Sequence, residues 1–106
     1  MSSPSPSDFL QEAVDLAVRN VQSGRGGPFA ALIVAEDDVI ATGTNRVTTE
    51  NDPTAHAEIT AIRAACEARD DFELSGCTLY SSCEPCPMCL GAIYWTRLDR
   101  VVYAAT

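Results

Sequence analysis

The sequence predicts a layered α/β sandwich, with one mixed sheet covered by helices on both faces. Three observations carry this expectation. Apolar residues recur at helical spacing in three segments, and short apolar runs of strand character lie between them. Glycine, proline or acidic residues punctuate the junctions, giving the order helix, two strands, helix, strand, helix, strand. A chain of 106 residues, 46% of them hydrophobic, suits one domain.

Residues 1–7 are rich in Ser and Pro and read as a flexible tail, with residues 8–106 as the folded domain. From Asp8 to about Gln22, Leu10, Ala13, Val14, Ala17 and Val21 share one helical face, and Asp8 with Gln11 resembles a capping pair. Gly24, Gly26 and Gly27 end this helix, and Pro28 bars its continuation. Phe29 to Ala35 is nearly all apolar, as a strand covered on both faces would be. The acidic turn Glu36-Asp37-Asp38 joins it, as a hairpin, to a strand from Val39 to about Thr44. Asn51-Asp52-Pro53-Thr54 reads as a helix start, with Asp52 capping and Pro53 in the first position. That helix should run from Thr54 to about Arg69 and bury Ile59, Ile62, Ala65 and Cys66. Cys77 to Ser82 is a strand, Cys86 to Thr96 a helix led in by Pro85, and Arg100 to Ala105 a last strand. The run Val101-Val102-Tyr103-Ala104 is apolar enough to want cover from a further C-terminal element or a partner chain.

Composition narrows the function. With 7 basic residues against 15 acidic ones, the net charge of −8 disfavours a surface built to neutralise phosphates, and the basic residues look scattered. The longest uncharged stretch, Pro85 to Thr96, has 12 residues, well short of the ~20 needed to span a bilayer. The N-terminus lacks the marks of a secretory signal, so a cytoplasmic protein is expected. Five cysteines, an odd count with no export signal, argue against a disulfide framework and for a metal or catalytic role. An iron–sulfur reading of Cys83, Cys86 and Cys89 fails, because Ile93 stands where a ferredoxin-type fourth cysteine would be.

The spacing of the remaining candidates points to zinc. Cys86 and Cys89, three apart on the first turn of a helix, face the same way, and the helix N-terminus should favour their thiolates. His56 is the only histidine; alone, it would more often be a structural residue than a ligand. Together the three residues supply three zinc ligands and leave the fourth tetrahedral position to water, as in catalytic sites. Glu58, two residues beyond His56, can reach that water without ligating the metal and so act as general acid and base. The bland alternative is a closed zinc knuckle with Cys83 as fourth ligand, although Cys83 precedes Pro85 and lies off the helix.

Thr54-Ala55-His56-Ala57-Glu58 with Glu84-Pro85-Cys86-Pro87-Met88-Cys89 resembles the cytidine deaminase-like superfamily, whose zinc nucleobase deaminases carry H-x-E and P-C-x-x-C. Residues 51–58 are similar to both bacterial guanine deaminases and tRNA adenosine deaminases. Residues 26–29, 45–49 and 82–95 resemble the small bacterial guanine deaminases more closely. The tRNA enzymes usually have a Leu-like residue where Cys83 stands and lack the Ile93-Tyr94-Trp95 run. The resemblance implies a three-layer cytidine deaminase-like sandwich, here without the usual C-terminal helix and fifth strand, so that the domain is expected to be incomplete at its C-terminus.

It further implies one zinc ion per chain on His56, Cys86 and Cys89, with Glu58 as proton shuttle. Asn45 would hydrogen-bond a purine base, Phe29 would stack on or wall the ring, and the Ala57 N–H would contact it. Phe29 could instead be plain core and Asn45 a turn residue, while Trp95 is expected to pack against the sheet. The implied activity is hydrolytic deamination of guanine to xanthine and ammonia, by a homodimer whose partner is a small purine base. The rivals are the same chemistry on tRNA adenosine, cytosine or a related base, and an inactive zinc-binding domain.

Overall fold

β1 (Ala30–Ala35) decides the layering. The structure, a computed structural model, describes residues 4–105. In β1, Ala31 and Ile33 point to one face of the sheet and Leu32 and Val34 to the other, and all four are buried. This matches the unbroken apolar run in the sequence. On the first face lie α3 (Ala57–Arg69) and α4 (Pro87–Thr96), which contribute Ala57, Ala61, Ile62, Ala65 and Ile93 to the larger core. On the second, α1 (Pro6–Gln22) packs Phe9 and Ala13 against Leu32, Val34 and Tyr80. The expected three-layer α/β arrangement is present.

The sheet has the order β2-β1-β3-β4, with β2 spanning Asp38–Thr44, β3 Cys77–Ser81 and β4 Arg100–Tyr103. β1 is antiparallel to both neighbours, whereas β4 runs parallel to β3 after the α4 crossover. The register places Ala30 opposite Thr44 and Ala31 opposite Ser81. The start of β1 and the ends of β2 and β3 therefore meet at one end of the sheet. No helix of the described residues is long and apolar enough to cross a membrane.

Several local expectations need correction. α1 starts at Pro6, because Ser5 and Asp8 form a reciprocal capping box in place of the Asp8–Gln11 pair. Residues 6 and 7, expected in the tail, are thus helical, while residues 1–3 lie outside the described part. The buried face of α1 is Phe9, Ala13, Ala17 and Asn20, rotated from the expected stripe, and Val21 is exposed. The cause is tertiary: Phe9 stacks on Tyr80 of β3 with centroids 5.0 Å apart. The hairpin turn has two residues, since Glu36 and Asp37 both take positive φ (50° and 72°), as a type I′ turn requires. A bulge between Ile33 and Val34 absorbs the register change.

α3 begins at Ala57, not Thr54. Asp52 caps no helix; its Oδ1 accepts from the Thr54 backbone N–H (2.9 Å) and hydroxyl (2.7 Å), closing a turn. A short helix, α2 (Val47–Glu50), which the sequence did not announce, fills the space between β2 and this turn.

Gly43 sets how closely α3 approaches the sheet. A Cβ there would lie 2.3 Å from both the Ala57 carbonyl oxygen and the Ala61 nitrogen, which are helix backbone and cannot swing aside. Gly43→Ala should therefore destabilise the fold by about 2–3 kcal/mol, at the upper end for overpacking, and loosen the α3 N-terminus. Urea unfolding measures this; an unchanged midpoint would contradict it.

Candidate metal centre and active-site cavity

Both helices that carry the candidate ligands begin at the same end of the sheet. His56 is the N-cap of α3 and Cys86 the N-cap of α4, each with extended backbone and neither using its side chain to cap. Their carbonyls accept the first intrahelical bonds, from Thr60 N–H and Leu90 N–H, both 2.9 Å. The side chains are thereby left to face one another. Pro87 at the first position of α4 fixes the turn that brings Cys89 round to the same side as Cys86.

The loops on which these residues sit are tied down. Arg46 N–H donates to the Ala55 carbonyl, and Thr60 Oγ1 donates to the Thr44 carbonyl, binding the His56 segment to β2. On the other side, Ser82 N–H donates to the Ala30 carbonyl, Ala30 N–H to Ser82 Oγ, and Ser81 Oγ to the Cys83 carbonyl. The Cys83–Pro85 approach to α4 is held by β1 and β3.

His56 Nδ1 lies 3.6 Å from Cys86 Sγ and 3.6 Å from Cys89 Sγ, and the three donor atoms fall within 4.8 Å of one another. A tetrahedral zinc with ordinary Zn–S and Zn–N bond lengths has an N–S edge of about 3.6 Å. Two thiolates and an imidazole also suit zinc by softness. The donor set fits, and the cluster can hold one metal ion. Cys83 is not part of it, which removes the expected reason for a closed knuckle.

At Cys89 other effects outweigh the helix N-terminus while no metal is bound. Burial, then the charge of Glu58, then the neighbouring Cys86 push the Cys89 thiol well above the usual thiol range. A cation must displace that proton, so zinc affinity should rise by about tenfold per pH unit from this thiol alone as pH increases through neutrality. The metal-free fold behaves oppositely. Its Cys89 holds a proton more tightly than the unfolded chain does, so this contribution is complete below about pH 8.5 and is lost as pH rises further. Thermal unfolding with and without zinc between pH 6 and pH 10 checks both signs; parallel pH profiles would contradict them.

Beside the cluster is a cavity of about 260 Å³ lined by Phe29, Asn45, His56, Ala57, Glu58, Cys83, Glu84 and Cys86. The structure brings six of the seven sequence-predicted site residues onto this wall, and the seventh, Cys89, lies fully buried behind it. Glu58, on the first turn of α3, is 7% exposed. Phe29 lines the cavity and is 39% exposed, so it is not plain core. Asn45 serves the turn as well: its Oδ1 accepts from Val47 N–H at 3.1 Å, which fixes the amide where it meets the cavity. Cys83, which the sequence offers only as a fourth ligand of a closed knuckle, lines the wall instead. So does Glu84, for which the sequence suggests no role beyond its place shortly before Cys86. Trp95, expected against the sheet, points outward with Tyr94 and Leu90 and is 74% exposed.

The model for the cytidine and deoxycytidylate deaminase zinc-binding region matches residues 4–105. The chain belongs to this deaminase family. A guanine deaminase of Bacillus subtilis is 61% identical over 92% of this chain and 62% of the relative. A tRNA-specific adenosine deaminase of Aquifex aeolicus is 40% identical over 92% of this chain and 64% of the relative. The crystal structure of guanine deaminase from Bacillus subtilis superposes with a TM-score of 0.95 at 58% identity, over 96% of this deaminase-family chain and 65% of the other. The chain thus spans a little under two thirds of the length of these relatives.

Proposed function

We propose that the chain carries the zinc site of a guanine deaminase, converting guanine and water to xanthine and ammonia. The observation that carries this reading is the convergence of His56, Cys86 and Cys89 at metal-binding distances beside buried Glu58 on one cavity. The relative at 61% identity favours guanine over the base acted on by the relative at 40%. When bound, zinc supplies a water that ionises near neutral pH. Glu58 is the proton carrier: its carboxylate would take one proton from the attacking water and pass it to a ring nitrogen. It would then carry the second to the amine, which leaves as ammonia as the new carbon–oxygen bond replaces the carbon–nitrogen bond. Phe29 walls the ring, and the Asn45 side-chain amide and the Ala57 N–H hold its polar edge. With Asn45 Oδ1 engaged by Val47, its NH2 group is the donor left for the base.

The same reading places the protein in the cytoplasm, in purine metabolism, as a homodimer acting on small molecules and not on nucleic acid. Five free cysteines suit a reducing compartment, and the outward aromatic residues of α4 and the free edge of β4 suit a second copy. The residues from α1 through β4 act as the deaminase domain.

Parallel assays on guanine, cytosine and adenosine-bearing tRNA test the substrate. Guanine should be turned over with kcat/KM at least ~100-fold above the other two, and Asn45→Ala should cut that value by about 10- to 100-fold, the loss expected from unpairing one base contact. Preference for the tRNA would overturn the reading.

A further inference from the structure

A second cavity, of about 310 Å³, opens on the other side of the Asn45 segment. Asn45 lines the first cavity, whereas Thr44 and Arg46 line the second, as alternation along an extended chain requires. Its other wall is the end of α1 and the loop beyond, which bring Arg19, Asn20 and Arg25. Three of the seven basic residues of a chain with net charge −8 therefore converge here from three separate segments. The structure gathers what looked scattered in the sequence.

The ordinary explanation for a cation at this place is the helix dipole, and it accounts for Arg19 in the last turn of α1. It does not account for Arg25 or Arg46. The terminal carbonyls of α1 are also satisfied already: Ser23 N–H donates to Arg19 O, Gly24 N–H to Val21 O, and Arg25 N–H to Asn20 O. Among the described residues, Arg46 pairs with Glu50, while Arg19 and Arg25 make no ion pair. Among the lining residues and their ion-pair partner, three positive charges stand against one carboxylate and roughly half a charge from the helix end, about +1.5 for these groups alone.

The frame around these arginines is built. Asn20, 5% exposed, donates from Nδ2 to the Gly27 carbonyl (2.9 Å) and the Asn45 carbonyl (3.3 Å), joining the helix end to the strand end. Thr49 Oγ1 donates to the Arg25 carbonyl and anchors the loop. Arginine residues from three segments line this one space, and guanidinium groups suit an oxyanion that can accept paired hydrogen bonds. The cavity has room for on the order of ten water molecules, more than one phosphate group fills, and Leu16 adds an apolar stretch of wall.

We propose that this cavity binds a small phosphomonoester, with its phosphate on Arg19, Arg25 and Arg46 and its organic body against Leu16 and Thr44. The proposal does not depend on the deaminase reaction. Ribose 5-phosphate is the probe, because it carries no base to enter the first cavity. Calorimetric titration of the zinc-loaded chain should show binding that weakens about tenfold or more as NaCl rises from about 20 to about 200 mM. The double variant Arg19→Gln/Arg25→Gln should lose about tenfold or more in affinity while keeping its zinc and its thermal midpoint. Inorganic phosphate should bind more weakly than ribose 5-phosphate. Absence of binding, or equal binding by the double variant, overturns the site. Equally tight inorganic phosphate overturns the organic body. A ten-nucleotide RNA that binds tighter than ribose 5-phosphate through the same arginines overturns the small ligand in favour of nucleic acid.

Discussion

Replacing Glu58 by Ala should leave one zinc bound per chain and lower guanine turnover by at least about 10³-fold, since the proposed function gives every proton transfer to this one carboxylate. The residue lines the cavity at the first turn of α3 but is not among the three clustered donors. On the proposed roles, removing it takes away the proton carrier and spares the three donors. Its negative charge bears on the Cys89 thiol, so the variant should also hold that thiol closer to its ordinary range. Metal analysis beside steady-state kinetics checks the pair of results. Undiminished turnover would remove Glu58 from the mechanism, and loss of zinc would make it a ligand.

Cys89→Ser carries the second large effect, on the metal itself. Outer-shell partners of a metal cost about 10- to 100-fold in affinity when removed, and a direct thiolate ligand should exceed that. Cys89 is fully buried and close in size to Ser, so the metal-free fold should change little. The zinc-dependent stabilisation should vanish, however. At a free zinc concentration 1,000 times Kd, that stabilisation is about 4 kcal/mol. For a domain of this length it amounts to roughly 15 °C or more in Tm. Thermal unfolding of both proteins with and without zinc reads this out. A Cys89→Ser protein still stabilised by zinc like the parent would contradict the three-ligand site.

The metal cluster was legible in the sequence because its information is local. His56 and Glu58 lie two apart, Cys86 and Cys89 three apart, and Pro87 fixes the helix start between the cysteines. The layering was legible for a similar reason, since β1 is apolar on both faces along its length. What was misread depended on contacts distant in sequence. The face that α1 buries follows Phe9, whose partner Tyr80 lies on the third strand. Asp52-Pro53-Thr54 has the composition of a helix start, yet the side chain of Asp52 is spent on Thr54 and the helix waits for His56. Glu36 gives no hint of positive φ, so the two-residue turn was hidden. Trp95 is apolar and helical, but the inward positions of α4 are taken by Cys89, Ile93 and Thr96. The arginine-lined cavity draws on α1, the loop beyond it and the end of β2, and no local pattern foretells such a meeting.

The most direct measurement of the central claim is the fate of solvent oxygen. The zinc-loaded chain would be incubated with guanine in water enriched in oxygen-18, and the product weighed by mass spectrometry. Hydrolytic deamination at this site predicts xanthine carrying one oxygen-18 atom, with one ammonia released for each guanine consumed. Guanine left intact by a chain shown to hold its zinc, or xanthine without the label, would contradict it.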